Sequence, residues 1–269
     1  MHILNLTCES AEADFLTAEL YARGTSGIIE ENLTDEKVLL RAFFPSPFPS
    51  DDFGAHAPRW EEAETVNWAR KIMEDWGPVC VGERFFVVPD WRADPTPHGR
   101  IRLEVHPGLA LGTGYHPTTQ MCLEAMERYL APGEPFFELG CGAGILSHAA
   151  WLLGERRVIA CDVDPQATAS AAGNFARAGV PALLFTGSAE AVCDSAASFL
   201  AANISPEAAV GLSGDIRRVL TPGGHAALSG FPPERSDEVA AWYDGAGFLI
   251  LDRIARDGWA CVVGRRLIR

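Results

Sequence analysis

The chain has no run of about eighteen apolar residues, and its first ten residues contain no basic segment leading into a long apolar one. These absences predict neither a membrane span nor a secretory leader, and so a cytoplasmic protein. The seven cysteines, Cys8, Cys80, Cys122, Cys141, Cys161, Cys193 and Cys261, include no C-x-x-C pair. Most sit in apolar stretches such as Val158 to Val163, which predicts reduced, buried thiols. No His, Cys and Asp cluster has zinc-ligand spacing, so no metal is expected. Positive charge is scarce: 22 Lys and Arg face 36 Asp and Glu, a formal charge of -14. A general phosphate-backbone binder needs an excess of cations to displace counterions, so direct DNA binding is not expected. The acidity suits a basic partner, although a solvated surface is the simpler account of it. There is no internal repeat and no low-complexity tract.

What is present is a globular composition of 269 residues, 48% hydrophobic and 22% charged, enough for one large domain and a small one. His2 to Thr7 alternates as a strand, Ser10 to Ala22 reads as a helix stopped at Gly24, and Gly27 to Glu31 and Lys37 to Phe44 read as two more strands. Pro45, Pro47, Pro49 and Pro58 mark a loop. A helix is predicted around Glu61 to Trp76, with an aromatic stripe of Trp60, Trp68 and Trp76 expected to pack, ending before Gly77-Pro78. Short strands at Arg84 to Val88 and Arg100 to Val105 flank a Pro- and Asp-rich loop. From Glu104 onward apolar strands recur at Phe136 to Leu139, Val158 to Cys161, Ala182 to Thr186, Phe199 to Asn203, His225 to Ser229, Phe248 to Ile254 and Trp259 to Val263. Helical stretches of about ten to fifteen residues separate most of them, which predicts a mostly parallel, doubly wound sheet. The last two strands meet at Asp257-Gly258 and are expected to form an antiparallel hairpin.

The strand Phe136 to Leu139 runs into Gly140-Cys-Gly-Ala-Gly144, and Ile145, Leu146, Ala149, Ala150, Leu152 and Leu153 then mark an amphipathic helix. Glycines there let the backbone approach a ligand, and the helix start presents free N–H groups. In the dinucleotide fingerprint the third glycine comes one place later, where this chain has Ile145. The G-x-G-x-G form therefore favours S-adenosylmethionine over a nicotinamide cofactor; a plain tight turn is the structural alternative. Asp162 ends the next apolar strand roughly twenty residues on, where a carboxylate can accept both hydroxyls of a ribose. Asp164, before Pro165, reads as a helix N-cap.

Asn203 ends the run Phe199 to Ile204, ahead of Ser205-Pro206, where a fourth strand would present its carboxyl end to a ligand. Its amide is a candidate to orient cofactor or substrate, with an Asx turn or helix cap before Pro206 as the alternative. The last candidate is Gly108 to Thr119, whose glycines permit close backbone approach and whose hydroxyls suit a helix cap or an anionic group. By position alone His116 reads as a packed or capping residue sooner than as a general base.

Five segments, in order and spacing, resemble the bacterial ribosomal protein L11 methyltransferases: Gly112-Thr-Gly-Tyr-His-Pro-Thr-Thr119, Glu138 to Leu146, Asp162-Val-Asp-Pro-Gln166, Ala202-Asn-Ile204 and Leu220-Thr-Pro-Gly-Gly224. The G-T-G-x-H-P-T-T element is the specific part, because many methyltransferases carry the glycine turn alone. Trp68 to Trp91 is also similar to the family's linker region. The resemblance implies an α/β fold with a seven-stranded, Rossmann-like methyltransferase domain at 104–269. A linker helix and short strands at 59–103 and a small ferredoxin-like α+β substrate domain at 1–58 would precede it. That front domain would be trimmed, since Pro45 to Pro58 offers no second helix.

The resemblance further implies an enzyme that transfers methyl groups from S-adenosylmethionine to lysine side chains or the N-terminal amine of ribosomal protein L11, free or on the large subunit; a monomer is expected. Carried over position by position, the family's cofactor residues fall on Thr119, Gly140, Asp162 and Asn203, with Gly112, Thr113, Glu138, Gly142 and Gly144 beside them. His116 and Asn203 are the candidates for a catalytic role. The chain departs from the family at Glu138, usually Asp, at Ile72 in place of a linker tryptophan, at the bulky Tyr115, and at Ser205 in place of Leu. The alternatives are a related methyltransferase acting on another protein or a small molecule, and a non-catalytic cofactor-dependent protein that docks on ribosomes.

Overall fold

The chain divides into two units, Met1–Asp75 and Trp76–Arg269, in a computed structural model that describes residues 2–34, 37–62, 76–106, 114–155 and 157–268. In the first unit, alternate residues of β1 (His2–Glu9) and β3 (Lys37–Phe44) are buried, which puts Leu4, Leu6, Cys8, Val38, Leu40 and Ala42 into one core. Helix α1 (Ala13–Ala22) adds Leu16 and Leu20 to it. With β2 (Gly27–Asn32) and β4 (Arg59–Glu62) on the edges, the sheet is antiparallel in the order β2-β3-β1-β4. Among the described residues the arrangement is ferredoxin-like with one helix fewer: a 3-10 turn, Asp51–His56, stands between β3 and β4, and its Phe53 joins the core.

The helix expected from Glu61 to Trp76 is corrected at both of its described ends. Glu61 and Glu62 belong to β4, opposite Ile3 and His2, and Trp76 is not helical; residues 63–75, with Trp68 and Ile72, lie outside the described residues. The glutamates favour a helix locally, but tertiary contacts decide otherwise. Trp60 packs edge-on against Phe44 and Phe48, at 5.7 and 5.1 Å, and Arg41 on β3 reaches over β1 to Glu61 at 2.8 Å. Residues 59–62, read from the sequence as the start of a linker, thus belong to the first sheet.

The second unit begins with a small sheet, β5 (Val79–Val81), β6 (Phe85–Pro89) and β7 (Ile101–Val105), in which β5 and β6 are antiparallel and β6 and β7 parallel. Phe85, Val87, Leu103 and Val105 share a core with α2 (Pro117–Tyr129) and α3 (Ile145–Leu153), so these strands are part of the second unit's own core. The large sheet comprises β8 (Phe136–Leu139), β9 (Val158–Asp162), β10 (Leu183–Thr186), β11 (Ala197–Asn203), β12 (Leu220–Phe231), β13 (Phe248–Arg256) and β14 (Trp259–Arg266), in the order β10-β9-β8-β11-β12-β14-β13. The first five are parallel; β14 runs antiparallel to β12, and β13 and β14 form the expected hairpin, with Arg256 opposite Trp259.

Successive residues of these strands go to opposite cores, Phe136 and Phe199 to one, Phe137 and Leu200 to the other. Burial on both faces is why the strands read as continuous apolar runs without alternation. Helix α4 (Pro165–Ala178) follows β9, while α5 (Pro206–Gly211), α6 (Ser213–Val219) and α7 (Pro233–Gly245) follow β11 and β12. The order of the central strands reverses at β8, flanked by β9 and β11, so their carboxyl ends open into one crevice.

Candidate functional site

That crevice is a cavity of about 830 Å³ whose lining includes Thr119, Glu138, Gly140, Gly142, Asp162 and Asn203. Its floor is the turn from β8 to α3. The N–H groups of Gly140 and Cys141 both donate to the carbonyl of Cys161, at 2.9 Å each, which holds the turn against β9. Gly140 has φ +74°, and a Cβ on it would lie 2.5 Å from Cγ2 of Ile204, another residue of the wall. The space a side chain would take at this position belongs to the cavity's own boundary.

Asp162 closes β9 with both carboxylate oxygens engaged by backbone donors. Oδ2 accepts from Gly142 N at 2.9 Å and Oδ1 from Asp164 N at 3.0 Å. Each oxygen keeps a second lone pair, so the pinned carboxylate can still accept two hydroxyls of a vicinal diol. Asp164 caps α4 by accepting from Gln166 N at 2.8 Å, and Ser205, not Asn203, caps α5. The capping alternative for Asn203 is therefore taken by its neighbour.

Glu138, singled out as a cofactor contact, is 2% exposed and is occupied with the protein itself. Its oxygens accept from Leu146 N at 3.3 Å, Ser147 N at 2.8 Å and Ser147 Oγ at 2.5 Å. Gly144 precedes α3 without a capping side chain, and Glu138 supplies the missing acceptor from the strand below, at the positive end of the helix dipole. Burial raises its pKa to about 7, against the pull of the Ser147 hydroxyl and the two amides. Burial also pushes the Cys161 thiol up to about 12 and raises that of Cys141, which lines the cavity, so neither cysteine is a thiolate nucleophile near neutrality.

The third wall is the start of α2. His116 is its N-cap: Nδ1 accepts from Thr118 N at 3.4 Å, and the ring packs edge-on against Trp259 at 4.8 Å. Thr118 and Thr119 are 3% and 1% exposed, and Nδ2 of Asn203 donates to both hydroxyls, at 3.1 and 3.3 Å. The structure thus brings Thr119, Gly140, Gly142, Asp162, Glu138 and Asn203 around one cavity. Gly144 faces away from it, against Phe175 of α4 and a second, smaller cavity, because the chain has already turned into α3 there. Gly112 and Thr113 lie outside the described residues.

Sequence reasoning missed Thr118 and Ser147. Each is one residue of a helix start whose hydroxyl meets a side chain on a strand: Thr118 the Asn203 amide 85 residues on, Ser147 the Glu138 carboxylate nine residues back. Among the described residues no group of three or more His, Cys, Asp and Glu is placed to hold a metal ion, and no helix is long and apolar enough to cross a membrane. The cavity's volume, its paired acceptor at a strand end and its side-chain-free floor suit a nucleoside carrying a second, polar arm.

A family model described as ribosomal protein L11 methyltransferase (PrmA) matches residues 49–267. Over 256 residues the chain is 36% identical to the ribosomal protein L11 methyltransferase of Pseudomonas aeruginosa (strain LESB58), a match spanning 95% of this chain and 85% of the relative. The protein of the same name from Azotobacter vinelandii is 37% identical over 207 residues, 77% of this chain and 70% of its own length. Among solved structures, the ribosomal protein L11 methylase from Lactobacillus delbrueckii subsp. bulgaricus superposes with a TM-score of 0.66 at 25% identity, over 72% of this chain and 100% of that one.

Proposed function

The chain belongs to the ribosomal protein L11 methyltransferase family, and from that premise we propose that it methylates amino groups of ribosomal protein L11, lysine side chains or the N-terminal amine, with S-adenosylmethionine as donor. The observation that supports this most directly is the meeting of Gly140, Asp162, Thr119 and Asn203 around one cavity at the carboxyl ends of β8, β9 and β11. S-adenosylmethionine, when bound, supplies a sulfonium methyl for direct in-line transfer, with no covalent enzyme intermediate.

The chain's own residues do the rest. Asp162 receives the ribose hydroxyls on the lone pairs that Gly142 and Asp164 leave free. Gly140 and Gly142 keep the floor open for the amino-acid arm, and Thr119 closes the side next to Asn203. The Asn203 carboxamide meets the acceptor amine and receives one of its N–H groups. Exclusion of water disfavours the ammonium form of that amine, so positioning and desolvation do the work that a strong base would otherwise perform. His116 holds the helix start that carries Thr118 and Thr119.

We assign cofactor binding to the unit from Trp76 onward and presentation of L11 to the front unit, whose acidic residues suit a basic protein. We expect the enzyme to act in the cytoplasm as a monomer without DNA. The test is incubation of the purified protein with labelled cofactor and separated large-subunit proteins. Label on amines of L11 supports the reading. Label on another protein or a small molecule moves the substrate, and tight cofactor binding without transfer to any of them ends the enzymatic assignment.

A further inference from the structure

His116, Thr118 and Asn203 form a chain of hydrogen bonds whose polarity is set by one backbone group. The amide N–H of Thr118 points at Nδ1 of His116 (3.4 Å), which makes that nitrogen an acceptor. The Thr118 hydroxyl lies 2.7 Å from the same nitrogen and, facing an acceptor, donates its only proton there. Toward Asn203 the Thr118 oxygen is then left with lone pairs alone. The end of the carboxamide that meets it at 3.1 Å is therefore the NH2 group, whose second hydrogen goes to Thr119 Oγ1 at 3.3 Å. Both hydrogens of Nδ2 are used. Oδ1 accepts no hydrogen bond among the described residues, on a side chain that lines the 830 Å³ cavity.

We propose that Thr118 is a positioning residue for methyl transfer, one that fixes the Asn203 carboxamide with Oδ1 offered to the acceptor amine; this rests on the methyl-transfer reading of the cavity. A neutral amine has N–H donors and one lone pair, and the lone pair must point at the methyl group. An acceptor on the enzyme takes an N–H and turns the lone pair toward the donor. A carboxamide rotated by 180° would present NH2 instead, hydrogen-bond to the lone pair and hold it back from reaction. The same polarity leaves the ring proton of neutral His116 on Nε2.

Thr118 is 3% exposed at the second position of α2, so Thr118→Val keeps the shape and removes the hydroxyl, while Thr118→Ser keeps the hydroxyl. The expected result is a loss of kcat on the order of tenfold to a hundredfold in Thr118→Val, with the calorimetric affinity for S-adenosylmethionine within about twofold of wild type and Thr118→Ser within about threefold in kcat. Wild-type kcat in Thr118→Val, or equal loss in the valine and serine variants, overturns the proposal. A readout independent of turnover is nuclear magnetic resonance of the wild-type protein labelled at histidine and asparagine. The proposal expects the Nε2–H tautomer of His116 and slowed exchange of the Asn203 side-chain hydrogens. The Nδ1–H tautomer, or fast exchange at Asn203, overturns it. These spectra test the hydrogen-bond polarity that the proposal requires even if Thr118→Val fails to fold or if L11 proves not to be the substrate.

Discussion

Replacement of Glu138 by Gln should change how stability depends on pH, in a direction set by burial. The carboxyl is wholly enclosed, and burial lifts its pKa from 4.5 to about 7 even though three donors face it. Because the folded pKa lies above the unfolded one, the folded protein holds the proton more tightly. The associated stability is present below about 4.5 and is lost as the pH climbs through about 7. At 1.36 kcal/mol per pH unit, the gap amounts to roughly 3 kcal/mol. Glu138→Gln cannot ionise, and every other titrating group is common to the two proteins. The stability of wild type minus that of the variant, from urea unfolding between about pH 4 and pH 8, should therefore fall by about that amount. The variant itself places an NH2 group against the donors of Leu146 or Ser147, so it should be the less stable protein at the acid end by about 1 to 3 kcal/mol. A flat difference curve, or one that rises with pH, would show that the α3 cap outweighs desolvation and would refute the reasoning.

Asp162→Ala should weaken S-adenosylmethionine binding by about 1 to 3 kcal/mol in a calorimetric titration, since the ribose hydroxyls lose their acceptor and Gly142 and Asp164 lose their anchor; an unchanged titration removes the ribose assignment. Gly144→Ala should cost about 1 to 3 kcal/mol of stability, because φ is +81° and the new Cβ would lie 2.5 Å from the Phe175 ring. Adding Phe175→Leu should recover only part of that loss, and full recovery would mean that the backbone conformation carries no strain. A chain beginning at Trp76, which keeps the second unit's cores, should bind the cofactor as the whole protein does and fail to methylate L11. Methylation by that chain at the full rate would remove the front unit from substrate presentation.

Much of the fold was legible because it rests on short-range rules. Phe136 to Gly144 announced strand and turn by composition, and Lys37 to Phe44 read as a strand with the bounds it has in the structure. Asp257-Gly258 placed the hairpin by its turn residues. The site was legible in part for the same reason: Asp162 and Asn203 are strand ends, and strand ends can be read from where an apolar run stops. Glu61 and Glu62 were misread as a helix start because glutamates favour a helix, whereas the open edge of β1, Trp60 against Phe44 and Arg41 across to Glu61 make Arg59 to Glu62 a strand.

By itself, then, the sequence determined most of the elements, the glycine turn, the spacing of the acid at Asp162 and the family. Each of these is settled within a turn of helix, a few residues of strand, or a motif whose parts adjoin. Only the tertiary structure decided that Glu138 is spent on capping α3, that Gly144 faces Phe175 away from the cavity, and that Thr118 meets Asn203 from 85 residues away. Those outcomes depend on strand order and on which groups lose their water on burial. Propensity and spacing contain neither, because both arise only when helices and strands, adjacent in the chain or far apart in it, are packed side by side.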